Sequence, residues 1–400
     1  MTLARPLLLL RAVPAQEIYP VVFATFAFVL GACVGSFLNV CIYRLPLGLS
    51  VNEPKRSFCP SCKYQIPWSS NLPLVTWVAQ RGKCRNCSAP IAARYVLVEL
   101  LTALLFLGVW WRVAGGPENL GQWCLFIPLA TFASLLVVAT FIDFEHFIIP
   151  DEITWGGAIA GVVFSLGLPQ LHGEKWGAIT GHLAAAGWSL AGAALGFGLL
   201  WLISVLGKAA FGKKTLEFSE PRAFTWTLEG ERARLKVGDD EHWWDEMFTN
   251  EKDFLVMDCE RFVFDGKTRE GAEVRFQYER MHLDGTEHDL NFVKFFAGSV
   301  RRIFHRRDAM GFGDVKFIAC IGAFLGWKAV LFTVMAASVI GALVGGTVIA
   351  IGRREWSAKI PFGPYLSLGA LIWMFTGPEL VAWYLNSIAS LPDCSHHRSA

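Results

Sequence analysis

Two carboxylates and four thiols are the residues of this chain best suited to chemistry. The stretch Gly311-Phe312-Gly313-Asp314-Val315-Lys316 runs directly into the apolar segment Phe317 to Phe324. A second acid, Asp143, ends another apolar run in Phe141-Ile142-Asp143-Phe144-Glu145-His146-Phe147-Ile148-Ile149-Pro150-Asp151. A carboxylate on a membrane helix is expensive in lipid, so by default it marks a functional site or a water-filled cavity. Two such acids suit peptide hydrolysis: one ionised carboxylate takes a proton from water while the other, protonated, polarises the scissile carbonyl. Like charges a few ångströms apart cannot both ionise cheaply, so proximity itself separates these roles. Gly311 and Gly313 let the backbone pass close to the other acid or to an extended substrate strand. Taken alone, this motif also reads as a turn followed by an Asp N-cap, and Pro150-Asp151-Glu152 as a helix start. Asp143, Glu145, His146 and Asp151 are also donor types that a metal would accept.

The thiols form two CxxC pairs, Cys59-Pro60-Ser61-Cys62 and Cys84-Arg85-Asn86-Cys87, separated by 21 residues. Each pair offers two thiolates to one tetrahedral zinc, at a spacing close to that of zinc ribbons. Four thiolates close the coordination sphere, so such a metal holds the loop together and hydrolyses nothing. Two disulfides are the alternative, which a cytoplasmic location disfavours. The remaining cysteines (Cys33, Cys41, Cys124, Cys259, Cys320, Cys394) read mostly as packing residues.

The elements that must position these groups are membrane helices. The chain is 54% hydrophobic and 18% charged, with mean hydropathy +0.41, far more apolar than a soluble protein of its length. Its apolar blocks are long enough to cross a bilayer at about 20 residues per helix. Eight spans are expected: Ile18 to Tyr43, Tyr95 to Val113, Trp123 to Ile142, Ile153 to Leu168, Gly181 to Leu206, Asp314 to Leu325, Trp327 to Ile351 and Pro361 to Leu385. The sixth is short, and tilts or ends in a tight turn at Gly326. The first is too long for a signal-peptide core and lacks a small-residue cleavage site; Gly31, Gly35 and Ser36 suit a close helix-packing face.

The net charge of +2 hides an asymmetry between loops. Residues 44–94 carry Arg44, Lys55, Arg56, Lys63, Arg81, Lys83, Arg85 and Arg94 against Glu53 alone, and Arg353, Arg354 and Lys359 mark another basic loop. The loops near 115–121 and 170–180 are nearly free of Lys and Arg. Eight alternating spans put the basic loops on one side, which the positive-inside rule assigns to the cytoplasm, with Asp143 and Asp314 at helix ends on that side. Residues 209–308 hold more than half of the 34 acids and alternate like strands. Phe224 to Leu228 turns near Glu229-Gly230-Glu231 into Arg232 to Val237. Phe262 to Phe264 before Asp265-Gly266, and Val274 to Leu283 before Asp284-Gly285, repeat the pattern. His282, Asp284, Glu287, His288 and Asp289 cluster there and read as exposed turn residues more than as a metal site.

The ordered set of motifs resembles the type IV prepilin peptidases, the bifunctional leader peptidases and N-methyltransferases of type IV pili and type II secretion. It comprises Gly35-Ser36-Phe37-Leu38-Asn39-Val40, Tyr43-Arg44-Leu45-Pro46, the paired CxxC motifs, Arg94-Tyr95 with Glu99, Asp143 to Asp151, and Gly311 to Lys316. The resemblance implies an all-α polytopic GxGD-type membrane aspartyl protease that cuts prepilin or pseudopilin leaders at the cytoplasmic face of the inner membrane. By position, Asp143 and Asp314 take the catalytic roles, supported by Gly311, Gly313, Lys316 and Asp151, with Asp151 the substitute should Asp143 prove wrong. The family cuts after a Gly in a short basic leader, before a hydrophobic helix whose first residue is often Phe. Methylation of the new N-terminus with S-adenosylmethionine is implied by resemblance only, and no Gly-rich strand–turn–helix signature locates that ligand.

The expected organisation is therefore 1–43 as N-terminus and first helix, 44–94 as a cytoplasmic zinc-binding loop, and 95–208 as helices two to five with the first catalytic Asp. Residues 209–308 form an inserted soluble cytoplasmic β-rich domain, and 309–400 carry helices six to eight with the GxGD motif. The insert departs from the family pattern and bears on specificity or regulation. Membrane lipid is an expected partner and nucleic acid is not. An ion-coupled transporter and an inactive peptidase-like assembly scaffold are the alternatives, and intact Asp143 and Asp314 speak against the scaffold.

Overall fold

The computed structural model describes residues 15–59, 61–67, 71–113, 124–211, 213–229, 232–248, 253–264, 266–293, 295–306, 310–351 and 361–389. The loop near 115–121, the basic residues Arg353, Arg354 and Lys359, Cys394, and the turn residues Gly230, Glu231 and Asp265 lie outside them. Two compact units emerge: Met1–Ala193 with Cys320–Ser338 and Phe362–Ala400, and Ala194–Ala319 with Val339–Pro361.

The apolar runs fold into long helices: Ala15–Arg44, Arg94–Val113, Phe126–His146, Asp151–Gly167, Ile179–Phe211, Phe312–Ala350 and Gly363–Ala389. Six of these are long and apolar enough to cross a membrane; Asp151–Gly167, at 17 residues, falls short of the length required. The expected sixth and seventh spans are the two halves of Phe312–Ala350, broken at Gly326, whose φ of 78° and ψ of 177° leave helical geometry. A positive φ favours glycine, which has no Cβ to clash. The break withdraws helical donors from nearby carbonyls, and the buried Ser189 hydroxyl donates to the Ala323 carbonyl at 2.7 Å.

In the first unit, the Ala15–Arg44 and Arg94–Val113 helices pack backbone to backbone. A Cβ on Gly31 would lie 2.8 Å from Ala103 Cα, and one on Gly35 2.7 Å from Glu99 Cα. This is the expected small-residue face. Apolar side chains point outward: Val21 is 65% exposed, Trp111 68% and Ile159 64%. Water would not tolerate that surface over so many helices, whereas hydrocarbon requires it. The protein is a multi-pass membrane protein.

The second unit carries one antiparallel eight-stranded sheet, ordered β3-β2-β1-β8-β4-β5-β6-β7. The strands are β1 (Lys213–Glu229), β2 (Arg232–Val237), β3 (Asp240–Trp243), β4 (Phe254–Phe264), β5 (Lys267–Phe276), β6 (Arg280–Leu283), β7 (Thr286–Asp289) and β8 (Phe295–Arg306). Alternation decides which side chains enter the core: Leu255, Met257 and Cys259 of β4 are buried, as are Phe224, Trp226, Val274, Phe276 and Phe296. Burial pushes the Cys259 thiol up to about 12, so it is an inert packing residue. One expectation is corrected. Val274 to Leu283 is not a single strand but the end of β5 and all of β6, which pair with Val274 opposite Leu283.

Candidate active site and cysteine module

Asp143 sits near the C-terminal end of the Phe126–His146 helix, on the stripe that also buries Phe132, Leu136 and Ala139. Positions three and four apart share one helix face, so the sequence directs this acid inward. It is 5% exposed. Its Oδ2 accepts the backbone N–H of Gly363 at 2.9 Å, and Gly363 opens the Gly363–Ala389 helix. The first N–H groups of a helix lack intrahelical acceptors and carry the positive end of its dipole, so they suit a carboxylate. A Cβ on Gly363 would lie 2.7 Å from that same oxygen. Gly363 is thus required for the contact, and sequence reading missed it because a backbone amide leaves no side-chain signature. The glycine after Pro361-Phe362 is the signal that was available.

Two residues on, Glu145 pairs with Arg94, the first residue of the Arg94–Val113 helix. This pair ties the Asp143 helix to the helix that follows the cysteine loop. Asp151 lies exposed in the first turn of its own helix, beside Glu152. Asp143, Glu145, His146 and Asp151 form no shared donor set among the described residues.

Asp314, in the second unit, is half-buried in the first turn of the Phe312–Ala350 helix. A Cβ on Gly311 would stand 3.4 Å from its Oδ2. Lys316 places its Nζ 5.2 Å from the centre of the Phe312 ring, and Phe312 meets Phe197 edge-on at 6.0 Å. A Cβ on Gly196 would lie 2.7 Å from the Ile318 carbonyl, so the motif-bearing helix runs against the Ile179–Phe211 helix at backbone distance.

Among the described residues, one group of metal-ligand side chains converges: Cys59, Cys62, Cys84 and Cys87, with all four sulfurs within 4.8 Å of one another. The two loops repeat the same local structure. In each, the residue after the second cysteine, Lys63 or Ser88, has a φ of 58° and donates its N–H to the first cysteine's carbonyl. Each first cysteine donates its own N–H to the carbonyl of Tyr64 or Ala89.

Cys59 and Cys87 sulfurs are 3.8 Å apart and those of Cys62 and Cys84 4.0 Å. A tetrahedron with metal–sulfur bonds of about 2.3 Å has edges near 3.8 Å, so the cage fits zinc and its sulfurs are far too distant for disulfides. The Tyr64 N–H lowers the Cys62 thiol to about 6, helped by the Asn86 amide. The N–H groups of Cys87 and Asn86 hold Cys84 low. An Ala89 N–H also favours the Cys87 thiolate, but Cys62 and Cys84 beside it push that thiol up to about 12. Like charge opposes ionising all four thiols together, and a bound cation removes that opposition.

The polar group in the insert has local partners. Asp284 pairs with Arg269 at 2.9 Å and Glu287 with Arg280 at 3.0 Å. His288 packs on Phe264, and Asp289 accepts the Asn291 N–H.

Known protein families match both the cysteine-bearing and the Asp-bearing segments in sequence. A sequence model of the Bacterial Peptidase A24 N-terminal domain matches residues 29–113. One of the Type IV leader peptidase family matches 130–214 and 290–346, breaking off within the β-sheet insert. Three similar proteins are each named prepilin leader peptidase/N-methyltransferase. That of Myxococcus xanthus is 42% identical over 193 residues, covering 46% of this chain and 55% of that protein. That of Aeromonas hydrophila is 27% identical over 391 residues, covering 92% and 96%. That of Klebsiella pneumoniae is 36% identical over 205 residues, covering 47% and 86%. No solved structure matches significantly. The chain belongs to the type IV leader peptidase family.

Proposed function

We propose that this chain is an intramembrane aspartyl endopeptidase that removes the leader peptide from type IV prepilins or type II secretion pseudopilins. It then methylates the new N-terminus from S-adenosylmethionine. The observation that carries this reading is a buried carboxylate, Asp143, at the end of an apolar helix with Gly363 donating to it, in a chain of the leader peptidase family. Asp314 is the second acid. One carboxylate activates water and the other, protonated, polarises the scissile carbonyl, and sharing one proton between them keeps the pair from carrying two charges. Gly311 and Gly313 keep the approach to Asp314 open, Lys316 adds positive charge near it, and Asp151 lies at the start of the following helix.

The eight-span arrangement is retained for the membrane, counting Asp151–Gly167 and both halves of Phe312–Ala350 as crossings. The basic loop 44–94 then lies in the cytoplasm, with both acids on that side of the inner membrane. A substrate helix among the spans leaves its basic leader in the same compartment. Zinc in the four-cysteine cage is structural, because the cage leaves no open coordination position.

Purified protein incubated with a pilin precursor should give a product whose mass corresponds to loss of the leader, and an added methyl group when S-adenosylmethionine is present. An unchanged precursor would contradict the reading. Gly363→Ala, which crowds Asp143 Oδ2, should lower cleavage by about 10–100-fold, the scale expected when a reacting group is misplaced by an ångström. Unchanged cleavage would remove Gly363 from the site.

A further inference from the structure

The short half of the Phe312–Ala350 helix carries Asp314 in its first turn and ends at the break of Gly326. Two neighbouring helices meet it at backbone distance. A Cβ on Gly161 of the Asp151–Gly167 helix would lie 2.8 Å from Ala323 Cβ, and Gly192 of the Ile179–Phe211 helix lies against the Gly322 carbonyl. The end at the break is held by polar contacts. Ser189 donates to the Ala323 carbonyl, and so does His172, the last residue of the 3-10 helix Pro169–His172. A carbonyl oxygen has two lone pairs, so it accepts both donors at once.

Both ring nitrogens of His172 are engaged. Nε2 lies 2.9 Å from the hydroxyl of the buried Ser165, which is itself 2.7 Å from the Gly161 carbonyl. That leaves Nδ1 to donate to Ala323. A Cβ on Gly326 would stand 3.4 Å from Nδ1, so the glycine that breaks the helix also makes room for the ring. A neutral imidazole has one N–H, so donation from Nδ1 makes Nε2 the acceptor of the Ser165 O–H. Both partners are neutral, and a second proton would add a half-buried charge that neither cancels. Burial accordingly holds His172 below its ordinary value, with the Ala323 carbonyl and the charge of Glu174 partly opposing. The other charged or titratable side chains on the surrounding elements are Lys175 beside Glu174, His182, whose ring bonds the Leu166 carbonyl at 2.7 Å, and Lys328, 5.7 Å from the centre of the Trp327 ring. Glu174 also accepts the Trp188 indole N–H at 3.1 Å.

Resting on the reading of Asp314 as one of the two cleaving acids, we infer that His172 is a positioning residue: through Ala323 it fixes the axial placement of the helix that carries Asp314, and its protonation loosens that hold. His172 touches neither the substrate nor the reacting atoms. On the proposed eight-span arrangement, the Pro169–His172 turn and Gly326 lie at the ends of their spans away from the cytoplasm, and Asp314 opens its helix on the cytoplasmic side. Cleavage then answers to acidity on the face opposite the one where it occurs. The sign follows from the burial of the ring. Released into water, His172 has its ordinary value of about 6.5, and held against Ala323 it has a lower one. The hold is therefore full above about 6.5 and weakens as pH falls below that, through the lowered value. Ser189 does not titrate, so it keeps its share of the hold in acid.

The test uses the full chain in lipid nanodiscs, with kcat and KM for cleavage of a pilin precursor followed by mass spectrometry from about pH 7.5 to about 5.5, a unit either side of a free imidazole. Comparing variants with wild type at each pH cancels the titration of the groups they share, the two acids included. His172→Phe fills the space but donates nothing. It should lower kcat at least about tenfold with KM within about twofold, the scale of a slightly misplaced reacting group. His172→Asn offers an uncharged N–H where Nδ1 stood. It should recover most of the wild-type kcat at the upper pH, and wild type should lose about fivefold or more relative to it on acidification. Should His172→Phe fail to fold, the pH profile of His172→Asn decides alone. A Phe variant that cleaves like wild type, or an Asn variant whose profile follows that of wild type, would overturn the inference while leaving the peptidase reading intact. A wild-type protein that leaves the precursor uncut at every pH would remove that reading, and the inference with it.

Discussion

The two polar segments of this chain, the cysteine loop and the β-sheet insert, are held together by opposite means. Among the described residues between 45 and 93, only Cys59, Gly82 and Cys84 are buried. A segment with so little apolar core lacks the hydrophobic surface to fold on, and a metal cage is the usual substitute. The insert has no such cluster among its described residues. Its strands instead bury Phe224, Trp226, Phe262, Phe276 and Phe296 against one another, each at most 1% exposed. Its charges lie outside in pairs such as Arg302 with Asp258 at 2.7 Å and Arg261 with Glu270 at 2.8 Å. The lesson is that similar polarity in sequence conceals two sources of order, and each fails under a different insult.

Chelation should give the largest effect. Apparent zinc-binding free energies in small cysteine modules run to about 10–16 kcal/mol and are in effect folding free energies. Removing the metal, or Cys84→Ser, should therefore unfold residues around 57–91 and leave the insert's protease resistance unchanged. Equal protease resistance of the loop with and without chelator would break the comparison. Acid should act in the same place. The Cys62 and Cys84 thiols are lowered from their ordinary value, Cys62 to about 6. The stability that these thiolates contribute is full above the ordinary thiol value and is lost as pH falls through the lowered one. Zinc content measured across a pH series should fall as the solution is acidified, because protons compete with the metal for the thiolates.

The next effect belongs to the insert. Phe262 is fully buried, and Phe262→Ala should destabilise the insert by about 3–5 kcal/mol, the usual cost of emptying a buried aromatic site. Proteolysis of the full chain would show it as faster cutting within 213–306, with zinc content unchanged. The smallest effect should come from Glu270→Ala. That pair is exposed on both sides, 70% and 69%, and exposed pairs contribute about 0.2–1 kcal/mol. A larger loss would mean that the outer face of the sheet carries more of the stability than its core does.

Much of this was legible in the sequence because it has a period or a spacing. The apolar runs, the paired CxxC motifs, the Gly31 and Gly35 packing face and the strand alternation of β1, β2 and β4 are of that kind. Gly326 was marked as a turn, and the structure adds the carbonyl that Ser189 satisfies. Val274 to Leu283 misled because periodicity continues across a hairpin when both strands bury the same face. Gly363 left only the weak signal of a glycine after Pro361-Phe362, because its contribution is an amide hydrogen. The hold on Ala323 left none, since His172 and Ser189 are far from it in sequence and only helix packing unites them.

If Asp143 and Asp314 together cleave the leader, side-by-side cleavage by wild type, Asp143→Asn and Asp314→Asn will show it. The three purified proteins, matched for zinc content, would be given the same pilin precursor and the product N-terminus read by mass spectrometry. Wild type should give a leaderless product and each variant a loss of about 10²–10⁴-fold or more, the scale of acid–base catalysis. Cleavage near the wild-type rate by either variant would contradict it.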